Sequence, residues 1–264
     1  MKDKLLKKKW LITPKKALTA TKREKYWVSS HRNKAYGDVF SITEDEACRA
    51  RIMTALNEVG KVASVLVPGC GSRTFLQETL VQCHAIRKIC CTDFAGVVQI
   101  AKQHFMHPKV QYLARNSTKL GFENEWDAVV VINSVLSESD KENRLMLSSF
   151  CKALRPDGVL IGYFPTILCA LDIDHLDSRL GWTKRIDMQR NSFYEPKQRI
   201  HQIFYTPLRL RYIIKEAGFN LEKMEIHFCD SDYFIKHGAK YYGLRDKDAV
   251  IYSLFVVARK ERLL

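Results

Sequence analysis

Short apolar runs alternate with amphipathic stretches through the middle of this chain. Runs that suit fully buried strands, bounded by turn residues, cover 62–67, 86–92, 110–114, 126–132 and 159–164. Apolar residues at helical spacing cover 47–59, 74–84, 95–105 and 139–154. Strands that alternate with helices in this order predict βαβ units with right-handed crossovers. We therefore expect a doubly wound α/β fold around a mostly parallel sheet.

Capping patterns mark where three of the helices begin. Thr43 and Ser139 each stand three residues before a glutamate, which is the form of a capping box. Thr206 precedes a proline, and this pair predicts a helix that ends at Gly218. We expect helix starts close to these three residues.

The last hundred residues interrupt the alternation. Residues 165–205 are basic and aromatic without a clear period, so we interpret them as a cap insertion over the carboxyl edge of the sheet. The runs 219–228 and 249–258 are each long enough for a strand and have no helix between them, which predicts an antiparallel hairpin at the sheet edge. With the five earlier runs they make a sheet of seven strands.

Basic side chains are concentrated at the start of the chain. The 264 residues hold 43 Lys and Arg against 29 Asp and Glu, a formal charge of +14. Residues 1–34 hold 12 basic and 2 acidic side chains, and 179–223 hold 10 and 4. Charge concentrated in this way attracts anions such as RNA or an acidic protein, but a lysine-rich start also serves as a solvated tail. We expect a basic arm and lid over 1–42 and one α/β domain over 43–264.

Composition and cysteine usage exclude several classes of protein. With 46% hydrophobic and 27% charged residues, the chain is globular in composition rather than disordered or collagen-like. No apolar run approaches the roughly 20 residues of a membrane-spanning helix. The eight cysteines include no CxxC pair and no zinc-type spacing with histidine. We expect a soluble protein of the reducing cytoplasm with no bound metal.

A glycine turn and an acidic residue follow the first two predicted strands. Gly69-Cys70-Gly71 comes directly after the first strand, where missing side chains let a ligand approach the backbone. Asp93 ends the second strand 22 residues after Gly71, a spacing that suits a carboxylate accepting both hydroxyls of a ribose. Such a turn also serves dinucleotides or only a tight bend, and an aspartate here also suits a helix cap. The pair indicates a nucleoside site at the carboxyl edge of the sheet.

Several segments, in order along the chain, resemble the motifs of class I S-adenosylmethionine-dependent methyltransferases over about 26–259. The segment 65–72, Val-Leu-Val-Pro-Gly-Cys-Gly-Ser, is similar to the Val-Pro-Gly-Cys-Gly form of their first motif. The segments 116–122, 126–136 and 154–160 are similar to the motifs after strand three, around strand four and before strand five. The resemblance implies a Rossmann-like seven-stranded fold with S-adenosyl-L-methionine as methyl donor and S-adenosyl-L-homocysteine as product.

The resemblance also implies which residues hold the nucleoside. The glycine turn, including Cys70, would flank the methionine part of the cofactor. Asp93 would bind the ribose, and Phe94 would lie against the adenine. Asn116 or Ser117 would meet the exocyclic amine of the adenine, because each side chain offers an oxygen that accepts a hydrogen bond.

Other implied positions surround the reacting end of the cofactor. Asn133 and Ser134, after the fourth strand, would face the sulfonium. Aromatic residues ahead of the first motif would cover the cofactor as a lid or, alternatively, form the core beside the first helix; they are Tyr26, Trp27 and Tyr36. Val67 and Arg73 depart from the family, where an acidic residue and a third glycine are usual. Recognition of the cofactor's amino group is therefore expected from the amino-terminal segment.

Transfer of a methyl group from a sulfonium depends mainly on alignment in a closed pocket. A base helps when the acceptor is a hydroxyl or a protonated amine. The main candidates are His201 in the insertion and His31 before the first motif, followed by His227 and Glu138. The segment 204–219 is similar to a stretch of metabolite methyltransferases, and the arginines of the cap suit a carboxylate. We expect methyl transfer to an oxygen or nitrogen of a small aromatic or anionic metabolite.

Two alternatives remain open. A macromolecular methyltransferase would use the basic arm to hold RNA or a protein that carries the target lysine, with aromatic side chains stacking on bases in the RNA case. A non-catalytic protein would bind the cofactor without transferring its methyl group.

Overall fold

The computed structural model describes residues 20–32, 42–176, 185–195, 200–229, 232, 235–236 and 251–262. The strands of this part of the chain are β1 (Ser64–Pro68), β2 (Lys88–Asp93), β3 (Val110–Ala114), β4 (Trp126–Ile132), β5 (Leu154–Pro165), β6 (Ile186–Asp187), β7 (Ser192–Glu195), β8 (Ile200–Ile203), β9 (Phe219–Cys229) and β10 (Ile251–Lys260). The α-helices are α1 (Ala20–Arg32), α2 (Glu46–Glu58), α3 (Phe75–Gln82), α4 (Ala95–His104), α5 (Asp140–Ala153), α6 (Ile167–Leu176) and α7 (Pro207–Glu216), and a 3-10 turn covers Ile42–Glu44.

Seven strands form one sheet in the order β3-β2-β1-β4-β5-β10-β9. Neighbours among the first five are parallel, whereas β10 is antiparallel to both β5 and β9. The predicted doubly wound sheet and its antiparallel hairpin are confirmed, with β10 rather than β9 next to β5. Because the connections leave β1 in one direction and β4 in the other, a crevice opens where these two strands end.

The central strands are continuous apolar runs because the sheet is covered on both faces. All five residues of β1 are buried. Val65 and Val67 pack into the core that α2 and α3 complete, and Leu66 points into the core on the other face, with α5 and α7. This two-sided burial fixes the edge at which β1, β2 and β4 end.

The three helix starts follow the capping patterns, with one correction. Ser139 accepts a hydrogen bond from the Glu142 amide (3.4 Å) and Thr206 accepts one from the Arg209 amide (3.2 Å), as predicted. The predicted start of α2 at Thr43 is wrong, because that residue lies in the 3-10 turn and Asp45 caps the helix instead.

The insertion after β5 forms α6 and a separate antiparallel sheet of β6, β7 and β8. These strands are two to four residues long, too short to show a period in the sequence. The Ile167 amide donates to the Tyr205 carbonyl (3.1 Å) and the Tyr205 amide to the Pro165 carbonyl (3.0 Å). Both ends of the insertion therefore meet at the carboxyl end of β5.

Among the described residues, no helix is both long enough and apolar enough to span a membrane.

Candidate functional site

The turn after β1 can be formed only with glycine at its first position. Gly69 and Gly71 have φ angles of 64° and 65°, in the left-handed region. A Cβ on Gly69 would lie 2.5 Å from Cβ of Ser134, which follows β4. The amides of Gly69 and Cys70 donate to the Thr92 carbonyl at 2.7 and 3.1 Å. The turn is thereby held between the ends of β2 and β4.

Asp93 connects the glycine turn to the start of α4. Its Oδ2 accepts the Gly71 amide (2.9 Å) and its Oδ1 accepts the Phe94 amide (2.7 Å). Burial raises the pKa of Asp93 to about 6, against the opposite effect of these two hydrogen bonds. Each oxygen keeps a second lone pair, so the carboxylate can still accept hydrogen bonds from the hydroxyl groups of a ligand. The cap of α4 is Phe94, whose side chain makes no capping bond, so Asp93 is not the N-cap.

Two buried oxygens line the β4 side of the crevice. Asn133 has a φ of 46° and donates its amide to the Tyr163 carbonyl at 3.0 Å. Asn133 Oδ1 and Ser134 Oγ are buried and have no hydrogen-bond partner among the residues that the structure describes. A buried polar atom without a partner costs roughly 1–3 kcal/mol. These two atoms, next to the glycine turn, are therefore suited to bind the polar part of a ligand.

The loop after β4 is held in place by residues that the sequence analysis did not select. The side-chain amide of Asn143, fully buried on α5, accepts from the Ser137 amide (2.8 Å) and donates to the Ser137 carbonyl (3.0 Å). The hydroxyl of Tyr205, which is also fully buried, donates to the Val135 carbonyl at 3.0 Å. The only sequence signal for Asn143 was a polar residue on the apolar face of a helix.

Helix α1 packs beside the glycine turn. A Cβ on Gly96, in the first turn of α4, would lie 2.6 Å from Cγ1 of Val28. His31 Nδ1 lies 2.8 Å from Ser72 Oγ, and the His31 ring lies 6.3 Å from that of Trp27. Burial first, and the charge of Arg73 second, lower the pKa of His31 to about 4. The imidazole is therefore neutral at pH 7.

The lid residues are divided between described and undescribed parts of the chain. Tyr26 and Trp27 are half-buried on α1, with ring centroids 5.4 Å apart. Tyr36 and the basic segment 1–19 lie outside the described residues. The described part of the expected lid is therefore helix α1, which contacts the glycine turn through His31.

The adenine positions differ in how far their side chains are already used. Asn116 is exposed after β3, and its Oδ1 accepts both the amide and the hydroxyl of Thr118 at 2.9 Å. An Asx turn of this kind uses both lone pairs of that oxygen. Ser117 is half-buried beside it. Of the two candidates, Ser117 is thus the better placed acceptor.

His201 lies on β8 in the cap insertion. It pairs with Tyr194 of β7, and the two rings lie 5.1 Å apart. Burial lowers the pKa of His201, against the charges of Glu138 and Asp187. Glu138 belongs to the loop after β4, and Asp187 belongs to β6 of the cap. Arg190 is close to Asp187 (3.7 Å), and Arg199 lies outside the described residues.

Comparison with solved structures identifies the fold. A methyltransferase described as S-adenosylmethionine-dependent, from Methanosarcina mazei, superposes with a TM-score of 0.60 at 15% identity, over 79% of this chain and 97% of that one. One from Mesorhizobium loti gives 0.56 at 16% identity, over 80% and 96%. The cyclase SpnF gives 0.62 at 15% identity, over 93% and 97%. The chain has the fold of class I methyltransferases, and the cyclase shows that this fold also serves another reaction.

No protein-family model and no curated protein sequence matches the chain.

Proposed function

We propose that this protein is an S-adenosyl-L-methionine-dependent methyltransferase that acts on an oxygen or nitrogen of a small aromatic or anionic metabolite. The observation that carries the proposal is the crevice between β1 and β4. There a glycine turn with positive φ, a half-buried carboxylate and two buried oxygens that have no partner among the described residues converge. A cofactor with a nucleoside at one end and an ammonium group at the other fits this set of groups.

Each group of the crevice has a role in this proposal. Asp93 accepts hydrogen bonds from the ribose hydroxyls, and Phe94 and Ser117 border the adenine. Because their oxygens have no partner among the described residues, Asn133 Oδ1 and Ser134 Oγ, rather than the amino-terminal segment expected above, accept hydrogen bonds from the amino group of the methionine part. They replace the acidic residue that the family carries at Val67, which here is an apolar core residue only 3% exposed. When bound, the cofactor supplies an electrophilic methyl group on a sulfonium.

The remaining residues position the acceptor and exclude water. Helix α1 covers the glycine turn, and Asn143 and Tyr205 fix the opposite wall by their hydrogen bonds to the loop after β4. His201 is the candidate base, because a lowered pKa keeps its imidazole neutral and able to take a proton. Neutral His31, hydrogen-bonded to Ser72, acts in this proposal by holding α1 against the turn rather than by moving a proton.

A second function is favoured by the distribution of charge. Residues 1–34 carry 12 basic and 2 acidic side chains, which suits RNA or an acidic protein as methyl acceptor. Binding of RNA would weaken steeply as salt is added, whereas methylation of a metabolite would be nearly insensitive to salt.

Binding of S-adenosyl-L-homocysteine, measured by calorimetry, tests the cofactor site directly. We expect Asp93→Ala to lose about 1.5–3 kcal/mol of binding free energy through the loss of charge-assisted hydrogen bonds. Glu58→Ala is the matched control, because Glu58 is an exposed acidic residue at the far end of α2. No heat of binding to the unmodified chain would reject the methyltransferase and the non-catalytic cofactor-binding proposals together.

Transfer of a labelled methyl group from S-adenosyl-L-methionine then separates the acceptor classes. The assay compares a panel of small aromatic and anionic acceptors with total RNA and with lysine-rich and acidic proteins. Labelling of small acceptors alone supports the metabolite proposal. Labelling of RNA or protein alone replaces it with the second function, and cofactor binding without any labelling favours the non-catalytic alternative.

A further inference from the structure

Four side chains that can bind a metal converge away from the glycine turn. Asp45 caps α2, and Cys48 lies in the first turn of that helix. His227 and Cys229 lie two residues apart at the end of β9. One ligand atom from each of the four lies within 4.8 Å of all the others. We refer to these four residues as the β9 cluster.

One oxygen of the β9 cluster has no hydrogen-bond partner within the part of the chain that the structure describes. Asp45 is 4% exposed, and its Oδ1 accepts the Ala47 amide at 2.9 Å. Asp45 Oδ2 is buried and has no hydrogen-bond partner among the described residues. A buried carboxylate oxygen without a donor is costly, so its environment favours a cation at this position.

The chemistry of the donors points to one ion. Both cysteines of the β9 cluster are fully buried and free of disulfide bonds. Two thiolates, one imidazole and one carboxylate form the soft and borderline set that Zn²⁺ prefers, in tetrahedral coordination. We propose that the β9 cluster binds one Zn²⁺ as a closed structural site, with all four positions taken by the protein.

Two contacts of His227 change when zinc binds. Its Nε2 lies 3.1 Å from Cys48 Sγ, and its Nδ1 lies 3.1 Å from Nη1 of Arg51. Zinc takes Nε2, so the ring proton moves to Nδ1 and the contact with Arg51 opens. Arg51 keeps its ion pair with Glu225 and its place over the Phe255 ring, 4.6 Å away.

Zinc binding changes the protonation and the net charge of the β9 cluster. Both thiols release their protons to water as the two Zn–S bonds form. Two thiolates, one carboxylate and Zn²⁺ sum to −1. The nearby guanidinium of Arg51 is already paired with Glu225, so the occupied site keeps this net charge of −1.

The consequence for the fold is a link between segments that are far apart in the chain. The β9 cluster joins the start of α2 to the carboxyl end of β9. Tyr163 extends the link to β5, because its hydroxyl donates to the Cys48 carbonyl at 3.3 Å and its ring lies 5.3 Å from that of His227. Its own carbonyl accepts the Asn133 amide, so a single residue connects the zinc site to the crevice.

The test is the zinc content of the full-length chain after purification without chelators, measured by plasma mass spectrometry. We expect about one zinc per chain in the unmodified protein and nearly none in Cys48→Ser or Cys229→Ser, since even supporting groups around a site change metal affinity by about 10–100-fold. Cys83→Ser is the matched control, because Cys83 is a half-buried cysteine outside the β9 cluster. It should keep its zinc.

A second variant and a second measurement guard against misfolding. Asp45→Asn preserves the shape of the cap, and far-UV circular dichroism checks that each variant is folded. ZnCl₂ added to the stripped chain should raise the melting temperature of the unmodified protein and of Cys83→Ser, but not that of a folded Cys229→Ser. The proposal is overturned if the stripped, folded chain binds no zinc, if the cysteine variants bind it equally well, or if intact-mass analysis shows a Cys48–Cys229 disulfide.

Discussion

Replacement of Asp93 by asparagine tests both the site and its electrostatics, because the carboxyl is a half-buried acid with a raised pKa. Burial moves this pKa from the ordinary 3.8 to about 6. The folded chain therefore binds the proton more tightly than the unfolded chain does. The contribution of the group to stability is fully present below pH 3.8 and is lost as the pH rises through about 6. The stability contribution of an asparagine at this position does not depend on pH.

The size of the effect follows from the two pKa values. Integrated between pH 4 and pH 7, the shift predicts that the unmodified chain loses at most about 2 kcal/mol of unfolding free energy relative to Asp93→Asn. Because Asp93 is partly accessible to solvent, this value is an upper bound. The affinity for the ligand depends on pH in the opposite direction, since the ionised form of Asp93 accepts the stronger hydrogen bonds. Affinity for S-adenosyl-L-homocysteine should rise about tenfold between pH 5 and pH 7.5.

Urea unfolding and calorimetry, each at several pH values from 4 to 8, measure the two effects on the same pair of proteins. The asparagine variant should bind more weakly and with little dependence on pH. A dissociation constant that is constant between pH 5 and pH 8, or that follows the same profile in the variant, would refute the assignment of Asp93 as the ribose ligand.

Three further predictions concern the surroundings of the crevice. Gly69→Ala should destabilise the chain by about 2–4 kcal/mol, through its positive φ and the 2.5 Å approach to Ser134 Cβ, and Ser134→Gly should restore part of that loss in urea unfolding. His31, whose pKa is lowered to about 4, contributes stability that is lost as the pH falls below 6.5, so acidification to pH 4.5 should cost the unmodified chain up to about 2 kcal/mol relative to His31→Asn. Equal acid sensitivity of the two proteins would contradict the burial of this ring. Thr206→Ala should lower the unfolding free energy by about 1 kcal/mol through the loss of the α7 cap, with binding of S-adenosyl-L-homocysteine unchanged.

The sequence predicts the sheet and the crevice because both depend on local patterns. The apolar runs that become β1 and β4 are buried on both faces, and the glycine turn with Asp93 lies within 25 residues of chain. The small sheet of the cap is different, since strands of two to four residues leave no period to detect.

The β9 cluster could not be predicted from spacing. Its members lie at 45, 48, 227 and 229, and only the topology that places the end of β9 beside the start of α2 brings them together. A search for short cysteine and histidine motifs therefore finds no zinc-type pattern. The Asx turn of Asn116 is instead a local feature, in which Thr118 uses the oxygen that an adenine would need.

The insertion after β5 leaves and re-enters the sheet at one point, where Thr166 and Tyr205 form an isolated bridge. An insertion that is anchored in this way can be lengthened, shortened or exchanged without moving the strands beneath it. The insertion can then diverge while the glycine turn and its neighbouring strands stay fixed, and an engineer can graft another cap between the same two residues.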